Sequence, residues 1–410
     1  MSELKKYLLK DIAVTQTGPF GSQLHEEDYV NNGTPIVTVE HLGDLGFSLI
    51  KLPLVSDVDK TRLKKYILKE GDIVFSRVGS IDRCTYVSKK EEGWLFSGRC
   101  LRVRFNEKAD ARFISFYFRQ KYFKEMMLNI SVGATMPSLN TALMDNILLF
   151  LPSKETQQKV ASVLSSIDSK IELNNRINTE LETMAKTLYD YWFVQFDFPD
   201  ANGKPYKTSG GKMVWNKELK REIPERWKVL DLHEIAKCIM GQSPKGESYN
   251  QNYIGTPLLN GPADYENGAL KGRTYTTEPT RLCQKDDLVL CIRATIGNLV
   301  YSEQEFCLGR GVAAVRPNEK RISELVYFLL LQEIERFKIQ ATGSIIVGIT
   351  KDDLIESKCL IPDDELIDTF HKLIKPQFDK IRINIKENQK LTELRDWLLP
   401  MLMNGQVKVG

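Results

Sequence analysis

Histidine is scarce in this chain, with four in 410 residues (His25, His41, His233 and His371), scattered and without an H-E-x-x-H pair. That spacing puts two imidazoles on one helical face, so its absence leaves no zincin-type metal site. The seven cysteines are an odd number and none falls in a C-x-x-C pair. No segment at the N-terminus reads as a signal peptide, so the expectation is a reducing, cytoplasmic setting without a disulfide frame or zinc knuckle. Long apolar runs are missing too. The stretch Leu325 to Leu331 is among the longest, far short of the ~20 residues that a membrane helix needs. Charge of one sign is also missing: 57 Lys+Arg against 54 Asp+Glu leave +3. That excludes a chain coated in basic residues, but a local basic face can hide in a balanced total.

Motifs for catalysis do not occur. There is no G-x-x-x-x-G-K-[ST] phosphate loop, no G-x-G-x-x-G opening a helix after a strand, and no Asn-Pro-Pro-aromatic tetrapeptide for gripping a target amine. Carboxylate pairs at Asp286-Asp287, Asp352-Asp353 and Asp363-Asp364 sit at turns and helix starts, where N-capping accounts for them. The expectation is therefore no catalytic residue, no metal site and no cofactor held by this chain.

What is present is a repeat. Sliding the chain by 210 positions brings Gly133 onto Gly343, Pro152 onto Pro362 and Glu155 onto Glu365, and no gap is needed from about 111 to 193. Asn174 then meets Asn384, Asn178 meets Asn388, and Leu188 meets Leu398. Upstream the offset drifts: Asp72-Ile73-Val74 resembles Asp287-Leu288-Val289, Gly98-Arg99 resembles Gly309-Arg310, and Gly33-Thr34-Pro35 matches Gly255-Thr256-Pro257. The early part of each half thus varies in its loops, and the late part does not.

Within one half, Ile36-Val37-Thr38-Val39, Ile73-Val74-Phe75 and Leu101-Arg102-Val103 read as short strands bounded by turn residues. Phe113, Phe116, Tyr117 and Phe123 have helical spacing over 110–129, and a long helix begins near Glu155. Val160, Leu164, Ile167, Ile171, Asn174, Asn178, Leu181, Ala185, Leu188 and Trp192 alternate steps of four and three, the heptad period of a coiled coil. Ile374, Ile381, Asn384, Asn388, Leu391, Leu398 and Leu402 hold the same register, with Gln377 and Arg395 as polar exceptions. A helix of roughly 38 residues is a rod of about 57 Å, better suited to a spacer than to a domain core. A buried seam asparagine weakens the pairing but fixes its register. In an antiparallel pair Asn174 and Asn178 face Asn384 and Asn388.

The resulting expectation is an α+β chain with a pseudo-twofold internal repeat. Two similar mixed α/β domains, 1–154 and 227–363, are separated by a pair of long helices, 155–196 and 364–410, forming an antiparallel coiled coil. Residues 197–226, rich in Gly, Pro, Lys and Ser, read as an irregular connector.

Charge is uneven along this frame. From Lys60 to Arg104 twelve basic residues stand against five acidic ones. Arginine can engage guanine O6 and N7 with its planar fork, glutamine can bond adenine N6 and N7, and lysine is suited to phosphate. On that chemistry the candidate DNA contacts are Ser22, Gln23, Lys64, Arg77, Arg83 and Arg99 in the first half, and Gln242, Ser243, Arg273, Arg293 and Arg310 in the second. Arg102 and Arg104 lie on a strand beside apolar neighbours, which also fits a structural role. The loops holding Gly18–Gln23, Gly241–Pro244 and Gly133–Asn140 are further contact candidates or plain turns.

Three stretches carry a resemblance. They are Tyr191-Trp192-Phe193-Val194-Gln195-Phe196-Asp197-Phe198-Pro199 with Gly203-Lys204-Pro205-Tyr206-Lys207-Thr208-Ser209-Gly210-Gly211, the terminal Leu398-Leu399-Pro400-Met401-Leu402-Met403-Asn404-Gly405-Gln406-Val407, and the Gly133–Asn140 loop followed by Leu151-Pro152 and Glu155. Together they make the chain similar, over essentially its whole length, to the DNA specificity subunits of type I restriction–modification systems. The resemblance implies two target recognition domains, each reading half of a bipartite site in double-stranded DNA. It implies helices that set the gap between the halves and dock two modification (methyltransferase) subunits. Restriction and translocase subunits, with S-adenosylmethionine, ATP and Mg bound by the partners, complete the implied assembly. The second loop, Gly343–Thr350, departs from the first by being more apolar. Two alternatives stand beside this reading: the specificity subunit of a type IIB restriction enzyme, and a coiled-coil adaptor that grips protein and not DNA.

Overall fold

The computed structural model describes residues 4–19, 23–133, 136–293, 295–341 and 348–409. The chain divides into two compact units, 1–173 with 388–410, and 174–387.

Each unit is built on the same three-part β scaffold. In the first, an antiparallel sheet runs in the order Ala13–Thr17, Cys100–Phe105, Ile73–Ser76, Cys84–Tyr86. In the second the order is Ala236–Met240, Val312–Pro317, Leu288–Cys291, Gly297–Tyr301. A second sheet in each unit is mixed, with Thr34–Val37 pairing parallel to Leu95–Phe96, and Thr256–Leu259 pairing parallel to Phe306–Leu308. A ribbon completes each: Lys5–Leu8 with Leu148–Leu151, and Lys228–Asp231 with Lys358–Ile361. The repeat in the sequence is therefore a repeat of topology. The strand runs expected around Ile36, Ile73 and Leu101 are all present.

The ladders correct one sequence match. Ser76 lies opposite Cys100, and Cys291 lies opposite Val312. Cys100 and Val312 are therefore counterparts, so Arg310 corresponds to Gly98, one place before Arg99. The same ladder explains two glycines. Gly18 N–H donates to the Cys100 carbonyl and Gly241 N–H to the Val312 carbonyl. A Cβ on either glycine would lie 2.1 Å from a carbonyl oxygen, of Ser97 and of Gly309 respectively. Only a residue without a side chain allows that approach.

The central strands are buried on both faces. Ile73, Val74, Phe75 and Ser76, and likewise Leu288 to Cys291, are buried throughout. One ion pair is duplicated at the edge of this core. Arg104 Nε and NH2 donate to the two carboxylate oxygens of Asp72, both at 2.7 Å. Arg316 does the same to Asp287 at 2.7 and 2.8 Å. Bidentate geometry in a half-dry site makes such pairs stronger than surface ones. Asp287 thus serves an ion pair and not a helix cap, whereas Asp363 Oδ1 accepts from Leu366 N–H and does cap the second long helix.

The helix expected over 110–129 is two helices, Ala111–Arg119 and Lys121–Ile130. Gln120 is extended between them, and its side-chain amide donates to the Tyr117 carbonyl. The bend lets Phe118 stack on Phe123 with ring centres 4.5 Å apart. In the second unit the counterpart is one helix, Ser323–Ala341.

The long helices run over Lys154–Tyr189, continued by a π turn at Asp190–Val194, and over Asp364–Met403. Much of the seam spaced in the sequence is buried: Val160, Leu164, Ile171, Asn174, Asn178 and Ala185, and likewise Ile374, Ile381, Asn384 and Leu402, while Ile167, Leu181, Leu188, Asn388, Leu391 and Leu398 are half-buried. Asn384 Nδ2 donates to Asn178 Oδ1, and Asn174 Nδ2 donates to Glu387 Oε2, both at 2.8 Å. Partner numbers rise on one helix as they fall on the other, so the pairing is antiparallel. One expectation changes: these helices are also domain core. Val160, Ala161 and Leu164 share the first unit's core with Leu399, Leu402 and Met403, while Ala185, Tyr189, Ile374 and Phe378 share the second's.

The connector is corrected as well. Residues 197–226 hold a hairpin, Met213–Asn216 with Arg221–Pro224. Phe198 stacks between Tyr206 at 4.6 Å and Trp227 at 5.2 Å, and Trp227 also meets Phe193 at 5.6 Å. Turn-forming residues made this stretch look irregular, yet its aromatics anchor it in the second core.

All seven cysteines are free thiols, most of them buried. Burial pushes those of Cys84, Cys100 and Cys359 up to about 12.

Two stability outcomes follow. Asn384→Leu alone strands the Asn178 amide and lowers stability by about 1–3 kcal/mol, whereas Asn178→Leu with Asn384→Leu recovers most of that loss; thermal denaturation of the three variants measures it. Gly241→Ala forces its Cβ onto the Gly309 carbonyl and costs roughly 1–3 kcal/mol, while Gly246→Ala, with open space around it, leaves the melting temperature within a degree or so of the parent.

Candidate nucleic-acid interface

In the first unit, four loops converge at one end of the main sheet. They are residues 18–19 after Thr17, residues 77–83, residues 97–99 and the described residues of 131–140. Gly79 N–H donates to the Pro137 carbonyl at 2.9 Å, and Leu139 N–H donates to the Arg77 carbonyl at 2.9 Å. Val132 and Ser138 pair as an isolated bridge. Arg77 is the staple of this cluster. Its backbone N–H reaches the Arg99 carbonyl, its Nε the Leu139 carbonyl at 3.3 Å, and its NH1 the Gly98 carbonyl at 3.3 Å.

Arg83 and Arg99 are exposed on the loops that Arg77 ties together. Exposed Val132 and Met136 sit on the same cluster, on the loop singled out by the sequence. Gln23 is further along the first loop. Its side-chain carbonyl accepts from Tyr66 Oη at 2.8 Å, and its backbone carbonyl accepts from Arg62 at 2.6 Å. Gln23 itself is exposed. Lys64 is exposed on the turn Lys64–Tyr66. Ser22 lies outside the described residues.

The second unit assembles the matching end from matching loops. Gln242 N–H donates to the Leu308 carbonyl at 2.8 Å, and Arg310 N–H donates to Ser243 Oγ at 3.4 Å. Gln242, Ser243 and Arg310 are thus brought together. Ile349 N–H donates to the Ile292 carbonyl, as Leu139 does to Arg77, so Arg293 stands on the counterpart of the stapled loop. Arg293 and Arg310 are exposed. Arg273 is elsewhere, just before the strand Thr274–Thr276 of the second sheet, 3.6 Å from Glu266. Most of the second Gly343–Thr350 loop lies outside the described residues.

Several basic residues of the first half are committed internally. Arg102 is buried, donating to the Lys65 and Ile67 carbonyls at 3.3 Å and to Gln16. Arg104 serves Asp72, Arg62 pairs with Asp59, and Lys90 with Glu172. Burial pushes Arg102 below the usual guanidinium value, with Arg104 adding to the effect. The excess of twelve over five therefore overstates the free positive surface, which falls mainly on exposed Lys64, Lys65, Lys69, Arg83 and Arg99.

Tyr253 was not legible as a candidate. It is 77% exposed, has φ of +61°, and its ring lies 5.1 Å from that of Tyr275. A tyrosine in the left-handed region has no sequence signature of its own. In the first unit a cleft of about 720 Å³ is lined by Arg119, Lys124, Arg395 and Leu399 among others. Its charges are already paired, Arg119 and Arg395 with Asp168, and Lys124 with Asp44. Among the described residues no group of three or more His, Cys, Asp or Glu is placed to hold a metal ion, and no helix is long and apolar enough to cross a membrane.

Known proteins give this geometry a context. A chain of Methanocaldococcus jannaschii assigned to the type I restriction enzyme MjaX as its specificity subunit is 28% identical over 387 residues, covering 92% of this chain and 88% of that one. The specificity subunit of the type I restriction enzyme HindI of Haemophilus influenzae is 24% identical, covering 99% and 100%. Among solved structures, the S subunit of a type I restriction–modification system from M. genitalium matches with a TM-score of 0.60 at 16% identity, over 98% of this chain and 96% of that one. The fold is therefore one already seen in that class. Residues 1–183 and 224–394 match the type I restriction modification DNA specificity domain, and the chain belongs to that family.

Proposed function

We propose that this chain is the sequence-reading, non-catalytic subunit of a type I restriction–modification complex, with each unit reading one half of a bipartite site in double-stranded DNA. The observation that carries this is the duplicated loop end. Two matching scaffolds each present exposed arginines, Arg83 and Arg99 in one and Arg293 and Arg310 in the other, on loops pinned by backbone hydrogen bonds. Arginines on a rigid frame suit base edges, because a fork held in place loses little freedom on binding. Gln23, Gln242 and Ser243 are the proposed polar contacts, and Lys64 and Arg273 the proposed phosphate contacts. Arg77 is assigned chiefly to holding the first loop cluster, since its fork is already engaged with carbonyls.

In this reading the paired helices set the spacing between the two half-sites and dock two modification subunits. S-adenosylmethionine, ATP and Mg belong to the modification and restriction partners and not to this chain. The complex works in the cytoplasm. What supports the division of labour is the family membership together with the absence of catalytic motifs from the sequence.

The deciding experiment measures DNA binding by the chain assembled with its modification partner. Affinity for a split site falls steeply as salt rises; flat salt dependence would point instead to a protein-binding adaptor. Arg83→Ala with Arg99→Ala weakens binding by roughly tenfold or more and relaxes selectivity in one half-site, while Arg293→Ala with Arg310→Ala does so in the other. Replacing residues 1–154 with the equivalent part of a relative changes one half of the recognised sequence and leaves the other as it was, read by mapping methylated sites.

A further inference from the structure

The repeat allows each contact of the long helices to be compared with its counterpart in the other unit. The seam asparagines are the first comparison. Asn174 and Asn384 are counterparts, as are Asn178 and Asn388. The bond from Asn384 to Asn178 is therefore equally available if a helix pairs with a second copy of itself, as Asn384 with Asn388 of another chain. The asparagines fix register, but they do not distinguish the correct partner from a like one.

A second feature does distinguish them. In the first unit Asp168 sits between two arginines, accepting from Arg119 at 2.6 Å and from Arg395 at 3.1 Å. All three side chains are nearly enclosed, 13–14% exposed. The counterparts in the second unit are Leu329, Phe378 and Ala185, and all three lie buried in one apolar core. One half of the repeat thus carries a buried charge cluster where the other carries hydrocarbon.

We propose that the Arg119–Asp168–Arg395 cluster is a pairing determinant: it makes the second long helix accept the first long helix and reject a second copy of itself. The argument is one of stranded charge. In a like pair of second helices, Arg395 of one copy lies where it meets Phe378 and Leu329 of the other. There the guanidinium loses the enclosed Asp168 and keeps only Asp396 of its own helix, 2.9 Å away and 60% exposed, against apolar neighbours, which is unfavourable. No comparable charge is stranded further along, where Leu399 and Leu402 stand in the places of Tyr189 and Trp192. In a like pair of first helices, Asp168 would lose Arg395 but keep Arg119, so the bar is lower. The cluster thus acts mainly against pairs of second halves, by excluding the wrong partner more than by strengthening the right one.

The test uses the complete chain with a specific protease site inserted between Asn202 and Gly203, in an exposed turn. The chain is cut, unfolded, and refolded with both pieces present, and the pairs are counted by native mass spectrometry. The parent gives pairs of first with second piece. Arg395→Ala raises the yield of second–second pairs by about tenfold or more and leaves first–first pairs unchanged, while Arg395→Lys, which keeps the charge, behaves as the parent. The proposal is overturned if the parent already assorts at random, or if Arg395→Ala still yields only mixed pairs. Should Arg395→Ala refold poorly, Arg119→Leu with Asp168→Phe and Arg395→Ala installs the apolar counterparts, and the same two results decide.

Discussion

The antiparallel seam between the two long helices is the contact on which the rest depends, because each helix contributes core residues to both units. Val160 and Leu164 are in one core and Ala185 and Tyr189 in the other, and the second helix is shared in the same way. A conventional linker is polar and leaves two cores independent. Here the long helices are parts of the domains, so within each unit the register of the helix pair and the packing of the core are one constraint. That is the physical reason for tolerating polar seam positions. Asn178 and Asn384 give up hydrophobic contact, and in return a slip along the seam would break an amide pair in a buried place.

A similar constraint governs charge. The chain carries almost as many acids as bases, and many of its arginines are engaged in holding it together. Arg104 and Arg316 repeat the same bidentate bond to Asp72 and Asp287, Arg102 is buried against carbonyls, and Arg77 ties three loops. What remains exposed at the loop ends is a small set. Loops that vary between the halves are mounted on a main sheet of the same strand order in both, and this suits a protein whose two ends contact different sequences by the same means.

Much of the architecture was legible without coordinates. Gly and Pro punctuation in the same order shows the duplication, alternating steps of four and three show the helical seam, and Asp72 aligns with Asp287 in the sequence alone. The misreadings have physical causes. Residues 197–226 have a composition of turns, but Phe198 and Trp227 anchor them in a core, and composition does not register a single stacked pair. The helix over 110–129 has unbroken helical spacing, yet Gln120 is extended, because the Phe118–Phe123 stack favours a bend that neither glycine nor proline announces. Arg99 and Arg310 looked like counterparts, and the ladder places them one residue apart.

The sequence by itself determined the duplicated plan, the order of strands and helices, the apolar seam and its asparagines. These are periodic or repeated features, and periodicity is a local property of the chain. Only the tertiary structure decided which arginines are held inside and which face outward, and that Asp168 lies between Arg119 and Arg395, residues far apart in sequence. Whether a charge is free depends on what the fold brings within 3 Å or so of it, and no count along the chain records that distance.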